Sequence, residues 1–236
     1  MKMTPCAAAL SLALLVAAPA SAQSLAAESP RNGAIRLKLG GYNPRASIDQ
    51  ETEGNPYEQT FGRTGMLLFE ASYDRYLWQR VGALGLGLSA GYGEKFGKAL
   101  ADGQPTAVPT ALRVFPLRLD ALYNFDYAAR EWGIPLVPYA RLGVAYVPWR
   151  ITKGEDTEVF NGQRAQGGRW GWGYTGGLAF QMDVLDPRLA RDFDSGVGVN
   201  HTYLYAEYAT LFANGFGSSG INLSSRYWTF GLAFEI

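Results

Sequence analysis

Trp228-Thr229-Phe230-Gly231-Leu232-Ala233-Phe234-Glu235-Ile236 reads with a period of two: Trp228, Phe230, Leu232, Phe234 and Ile236 fall on one side, and Thr229, Gly231, Ala233 and Glu235 on the other. Such alternation belongs to a β-strand, whose successive side chains leave opposite faces. One face is entirely large and apolar, the other small or charged. A wall between hydrocarbon and a narrow polar interior needs that division, so the stretch is expected to be the closing strand of a transmembrane barrel. Phe230, Leu232, Phe234 and Ile236 are the expected C-terminal assembly signal.

Seven earlier segments repeat the pattern. Ala34 to Gly41 sets Ile35, Leu37 and Leu39 against Arg36 and Lys38. Gly65 to Asp74 sets Leu67, Phe69, Ala71 and Tyr73 against Met66, Leu68, Glu70 and Ser72, a less clean split. The third segment is the clearest, with Leu84, Leu86, Leu88, Ala90 and Tyr92 opposite Ala83, Gly85, Gly87, Ser89 and Gly91. A period of two over this length excludes a helix. Val114 to Phe125, Leu136 to Val147, Trp170 to Asp183 and Thr202 to Phe212 complete the set. The expected fold is all-β: an eight-stranded antiparallel up-and-down barrel spanning residues 34–236.

Connections alternate in length as an outer-membrane barrel requires. Residues 43–62, 93–113, 148–169 and 213–221 are polar or rich in glycine and proline and are expected outside the cell. Residues 75–82, 126–135 and 184–201 then face the periplasm. In the last of these, Asp186-Pro187 suits a helix N-cap and first turn, with Leu189, Ala190 and Phe193 as an apolar face. A short helix under the barrel mouth, covering its lower rim, is expected there. Aromatic rings gather near the strand ends: Tyr73, Tyr76, Trp78, Tyr127 and Trp132 toward the periplasm, and Tyr92, Tyr146, Trp149, Trp170, Trp172 and Trp228 toward the outside. Amphipathic rings prefer the two bilayer interfaces, so these form the expected double girdle.

Composition agrees. The chain has 236 residues, with 21 basic against 21 acidic, so no basic excess points to nucleic acid. Mean hydropathy is -0.09, because alternating strands average out. The one long apolar run, Ala7 to Ala18 after Lys2, precedes the small-x-small site Ala20-Ser21-Ala22 and reads as a signal peptide over residues 1–22. Residues 23–33 follow as a short periplasmic segment. The sole cysteine, Cys6, lies too near the start for lipid attachment, which leaves an exported chain without disulfides.

The polar faces collect Arg36, Lys38, Arg118 and Arg141 against Glu70, Asp120, Asp183, Glu207 and Glu235. Eight strands enclose a space that side chains just fill, so these charges must pair within a plugged lumen. The glycines of the third strand leave room for the arginines of the others. Glu235 is expected beside Arg36 and Lys38 at the seam. The alternative is a narrow channel for small solutes. His201 is the one histidine, and its nearest inward carboxylate in sequence, Glu207, lies about 20 Å along the strand, so lipid-modifying catalysis is not expected. Acidic loop residues such as Asp49, Glu51, Glu53, Glu155, Asp156 and Glu158 lack calcium-loop spacing, and neither metal nor cofactor is expected. A soluble lipocalin-type barrel would expose the glycine and alanine faces of strands three and six to water, a poor solvent surface.

Gly41-Tyr42-Asn43-Pro44 with Ile48-Asp49, Phe115-Pro116-Leu117, Pro135-Leu136-Val137-Pro138-Tyr139, Asn200-His201-Thr202-Tyr203 with Glu207-Tyr208, and Gly231-Leu232-Ala233-Phe234 carry a family resemblance over nearly the whole mature chain. The chain resembles OmpA/OmpX-type outer-membrane barrels and, more closely, an uncharacterised β-barrel protein family typical of myxobacteria. The resemblance implies a Gram-negative outer-membrane location and the barrel fold, with no established activity to carry over. Ile236 departs from the terminal phenylalanine usual in such barrels. The expected partners are outer-membrane lipids and the barrel-assembly machinery, with the surface loops as the working part of a monomeric, non-enzymatic protein.

Overall fold

The computed structural model describes residues 30–44, 56–101, 104–154, 156–157, 159–160 and 163–236. The expected signal peptide, Cys6, residues 23–29 and the acidic positions 49, 51, 53, 155 and 158 lie outside the described residues. Eight strands form the wall: β1 (Gly33–Tyr42), β2 (Met66–Gln79), β3 (Ala83–Ala101), β4 in two pieces (Gln104–Val114 and Leu117–Asn124), β5 (Leu136–Lys153), β6 (Gln166–Gln181), β7 (His201–Phe212) and β8 (Ser225–Glu235). Each pairs antiparallel with the next, and β8 pairs with both β7 and β1, so the ring closes. Closure is what hydrocarbon demands, since no water there could satisfy an open strand edge.

The seam follows from the terminal strand's alternation. Ile35 sits opposite Phe234, Leu37 opposite Leu232 and Leu39 opposite Phe230, all facing outward. The Ile236 carbonyl accepts from the N–H groups of Asn32 at 2.7 Å and Gly33 at 2.9 Å, and Ile236 N–H donates to Gly33 O at 2.9 Å. Pro116 interrupts β4, because it has no N–H for the ladder; its carbonyl still accepts from Gly91 N–H at 2.8 Å.

Two expected outer loops are instead strand. β3 runs on to Ala101 and pairs with Gln104–Val114, and β5 and β6 extend through Lys153 and Gln166. The sequence reading stopped each strand where the polar residues began, but ladder hydrogen bonds need no hydrocarbon. At ~3.3 Å per residue the 19 residues of β3 reach about 60 Å, and roughly 10 tilted residues suffice to cross a bilayer. The barrel therefore stands well clear of the outer surface. Two short helices escaped the sequence reading, α1 (Pro56–Phe61) and α2 (Tyr127–Trp132), each too short to show a helical period.

The third helix, α3 (Pro187–Val197), begins where expected: Asp186 Oδ1 accepts from the N–H groups of Arg188 and Leu189, both at 3.1 Å, and Gly198 closes it at φ 71°. Its position differs from the expectation. Leu189, Ala190 and Phe193 share a cleft with Thr202 and Phe234, which are outward residues of β7 and β8, so the helix flanks the wall instead of covering the mouth.

The interior has two layers. Toward the extracellular side, Tyr42, Met66, Leu68, Leu112, Val114 and Leu211 pack with Leu223, Tyr227 and Tyr57 of α1 into a largely apolar core. Toward the periplasm lie the charges. An interior polar throughout was expected; Met66 and Leu68, the unclean part of the second segment, are the sequence trace of the apolar layer.

Candidate functional site: the filled lumen

Asp74, at the inward end of β2's alternation, is fully buried at the centre of the polar layer. Its Oδ2 accepts from Arg36 Nε at 2.7 Å and from Arg141 Nη2. The Arg36 guanidinium also donates to Asn124 Oδ1 at 3.3 Å and lies 4.7 Å from the Tyr139 ring centre and 5.4 Å from that of Tyr205. Next to this group, Lys38 Nζ lies 2.6 Å from Glu207 Oε1 and 3.5 Å from Glu70 Oε2. Glu207 accepts further from Thr229 Oγ1 at 2.9 Å and Tyr139 Oη at 2.8 Å. Arg118 meets Asp120 at 2.9 Å and Thr175 Oγ1 at 3.4 Å. Within this layer four basic side chains, Arg36, Lys38, Arg118 and Arg141, thus face four acidic ones, Asp74, Glu70, Glu207 and Asp120.

The predicted set is brought together except for two members. Glu235 is buried, but its partners are Arg31, with Nε at 2.9 Å and Nη2 at 2.6 Å, and Tyr203 Oη at 3.1 Å; Arg36 and Lys38 look elsewhere. Arg31 precedes the first alternating segment, so its entry into the periplasmic mouth, where it also meets Asp126 at 2.5 Å, left no periodic signal. Asp183 is not in the lumen network at all. It lies in the 3-10 turn Met182–Val184 at the periplasmic rim, with Oδ2 at 2.6 Å from His201 Nδ1 and 3.0 Å from Gln181 Nε2. The antiparallel register of β6 and β7, pairing Gln181 with Tyr203, brings Asp183 beside His201, 18 residues on. A distance measured along one strand therefore misplaced the carboxylate nearest His201.

Burial disfavours the Asp183 carboxylate, but hydrogen bonds from His201, Gln181 and the Thr202 N–H outweigh burial and hold it below its ordinary value. A depressed carboxylate stabilises the fold above its unfolded pKa and loses that contribution as pH falls through its folded one. Asp183→Asn is accordingly expected to cost stability at neutral pH, with the variant and parent urea midpoints converging below about pH 4. A gap unchanged at acid pH would contradict the pairing. Both hydrogen bonds of the His201 ring, to Asp183 and to Gln181, are made through Nδ1.

The glycines of β3 do make room. A Cβ on Gly87 would lie 2.6 Å from Asp74 Oδ1 and 3.2 Å from Arg141 Nη1, and one on Gly91 would lie 2.7 Å from Glu70 Cγ. Gly87→Leu is expected to destabilise the barrel by about 1–3 kcal/mol, because the Arg36–Asp74–Arg141 fork cannot step aside. Urea unfolding followed by tryptophan fluorescence would measure it.

Of the girdle, Tyr73, Trp78, Tyr92, Trp170, Trp172 and Trp228 are exposed on the outer face, Trp132 is exposed on α2 with its ring against Tyr127, and Tyr146 packs on Trp170 at 4.7 Å. Trp149 and Tyr76 are the exceptions. Trp149 shares the parity of Tyr139, Arg141 and Ala145, points inward and packs against the apolar layer, and Tyr76 is buried in the lumen, where its hydroxyl accepts from Asn124 Nδ2 at 3.3 Å.

Residues 9–234 match the pattern of the outer membrane protein beta-barrel domain family. OprG from Pseudomonas aeruginosa is similar over 89% of this chain and 97% of its own, at TM-score 0.53 and 10% identity. Ail of Yersinia pestis, solved in complex with the heparin analogue sucrose octasulfate, aligns over 87% and 99% at TM-score 0.43 and 12% identity. The N-terminal β-barrel domain of Pseudomonas aeruginosa OprF aligns over 87% and 99% at TM-score 0.40 and 14% identity. No curated protein matches the chain. At these identities the likeness is one of fold.

Proposed function

The chain belongs to the outer membrane protein beta-barrel domain family, and from that membership we propose that it is a sealed, non-enzymatic barrel whose rigid extracellular rim is its working part. It is a protein of the Gram-negative outer membrane. The observation that carries the sealed reading is the stacking of two fillings of different chemistry. The apolar layer around Leu68, Leu211 and Tyr227 offers an ion little in exchange for its hydration, and the charges below it are already paired. The outward reading rests on β3 and β5, 19 and 18 residues long, which hold the rim in continuous hydrogen-bonded sheet instead of loops.

A signal peptide over residues 1–22 delivers the chain, and the assembly machinery reads Phe230, Leu232, Phe234 and Ile236. Outer-membrane lipids surround a monomer, and any surface partner meets the protruding hairpins. A narrow channel is the competing reading. Proteoliposomes carrying the purified barrel are expected to swell in small sugars no faster than protein-free vesicles; swelling that rises with protein content would decide for the channel.

A further inference from the structure

The helix α3 is an amphipathic element that none of the described residues buries. Leu189, Phe193 and Val197 recur every fourth residue of α3, which puts them along one stripe, and Leu185, in the turn before the helix, lines the same cleft as Leu189 and Phe193. Their exposures are 53%, 41%, 70% and 70%, and no residue of the helix is buried. Exposure of this kind in water would be a liability, and a contiguous apolar stripe marks a contact surface.

The position of the stripe identifies its occupant. It borders a cleft of about 240 Å³ whose opposite wall includes Thr202 and Phe234. Those two are paired across β7 and β8, and Phe234 continues the row of Phe230 and Leu232 that faces the bilayer. The cleft is therefore continuous with the hydrocarbon-facing surface, at the end of β8 where the chain leaves the membrane on the periplasmic side. The other side of the helix carries Arg191, flanked by Arg188 and by Asp194, with Asp192 nearer the stripe. Arginines on such a flank reach lipid phosphates while their stems lie over apolar surface.

We propose that α3 lies in the headgroup boundary of the periplasmic leaflet, with Leu185, Leu189, Phe193 and Val197 among acyl chains, and that a phospholipid acyl chain fills the cleft between the helix and Phe234. Helices of this type sink roughly 5–10 Å into that boundary. The helix is then a lateral anchor that fixes the height of the barrel in the inner leaflet. This rests on the membrane placement alone and is indifferent to whether the lumen conducts.

The experiment uses spin labels on the full barrel in phosphatidylethanolamine/phosphatidylglycerol bilayers. Cys6 is the only cysteine in the chain, so once it is replaced by serine Leu189→Cys, Phe193→Cys and Arg191→Cys each give a single label, and heat-modifiable gel migration confirms that each variant folds. Labels at 189 and 193 are expected to collide with dissolved oxygen and to be shielded severalfold from a nickel chelate, with the reverse at 191. Two results would overturn the proposal. Equal access of nickel chelate to all three sites would put the helix in water, and shielding of 189 and 193 from both reagents would mean that protein, as rim or partner, covers the stripe.

Discussion

Asp74→Asn is expected to lower the unfolding free energy of the barrel by roughly 3–5 kcal/mol, the cost of leaving buried charge without its partner. Asp74 is fully buried, and both Arg36 and Arg141 depend on the same Oδ2. The amide keeps the shape of the carboxylate but not its charge, so the loss is electrostatic and not a matter of packing. Glu207→Gln makes the informative comparison. Lys38 loses its partner at 2.6 Å there but keeps Glu70 at 3.5 Å, so the second substitution is expected to cost clearly less than the first. Urea unfolding in lipid bilayers, read by tryptophan fluorescence, gives both. Equal costs would mean that the polar layer is water-relaxed and that no single carboxylate anchors it.

Tyr227→Ala is expected to cost a similar ~3–5 kcal/mol, for a different reason: it empties a large volume from the apolar layer. Tyr227 is 3% exposed, and its ring meets that of Tyr42 edge-on at 5.4 Å. Tyr42 is held in turn by its hydroxyl, which donates to the Leu223 carbonyl. The Tyr227 hydroxyl, by contrast, has no hydrogen-bond partner among the described residues. Tyr227→Phe should therefore stay within about 1 kcal/mol of the parent, since deleting an unpaired buried polar atom removes no bond. The same unfolding experiment separates the two variants, and a costly Tyr227→Phe would show that the ring's volume is not what stabilises this layer.

What the residues disclosed, and what they hid, divides along one physical line. Parity along a strand is a local property, and it placed Arg36, Lys38, Glu70, Arg118, Asp120, Arg141, Glu207 and Glu235 inside and the row from Trp228 to Phe234 outside. Trp149 carried the inward parity of Tyr139 and Arg141, yet was assigned to the girdle by residue type; its own spacing was the better guide. Partnership is a property of register between strands, and composition does not set it. A one-residue slip exchanges every face. Asp183 with His201, Glu235 with Arg31, and Asp74 between two arginines are all cross-strand or terminal encounters of this kind. The apolar upper layer was hidden for a third reason. Met66 and Leu68 looked like noise in a polar face until Tyr42, Leu112, Val114 and Leu211 arrived from other strands to surround them.

On the proposed function, two stacked fillings, one apolar and one ion-paired, seal this barrel. Single-channel recording in planar bilayers tests it most directly, with the purified, heat-modifiable protein inserted in defined lipid. The expected result is a baseline indistinguishable from lipid alone across applied voltage in concentrated salt. A stable, reproducible open state that depends on the protein would contradict it.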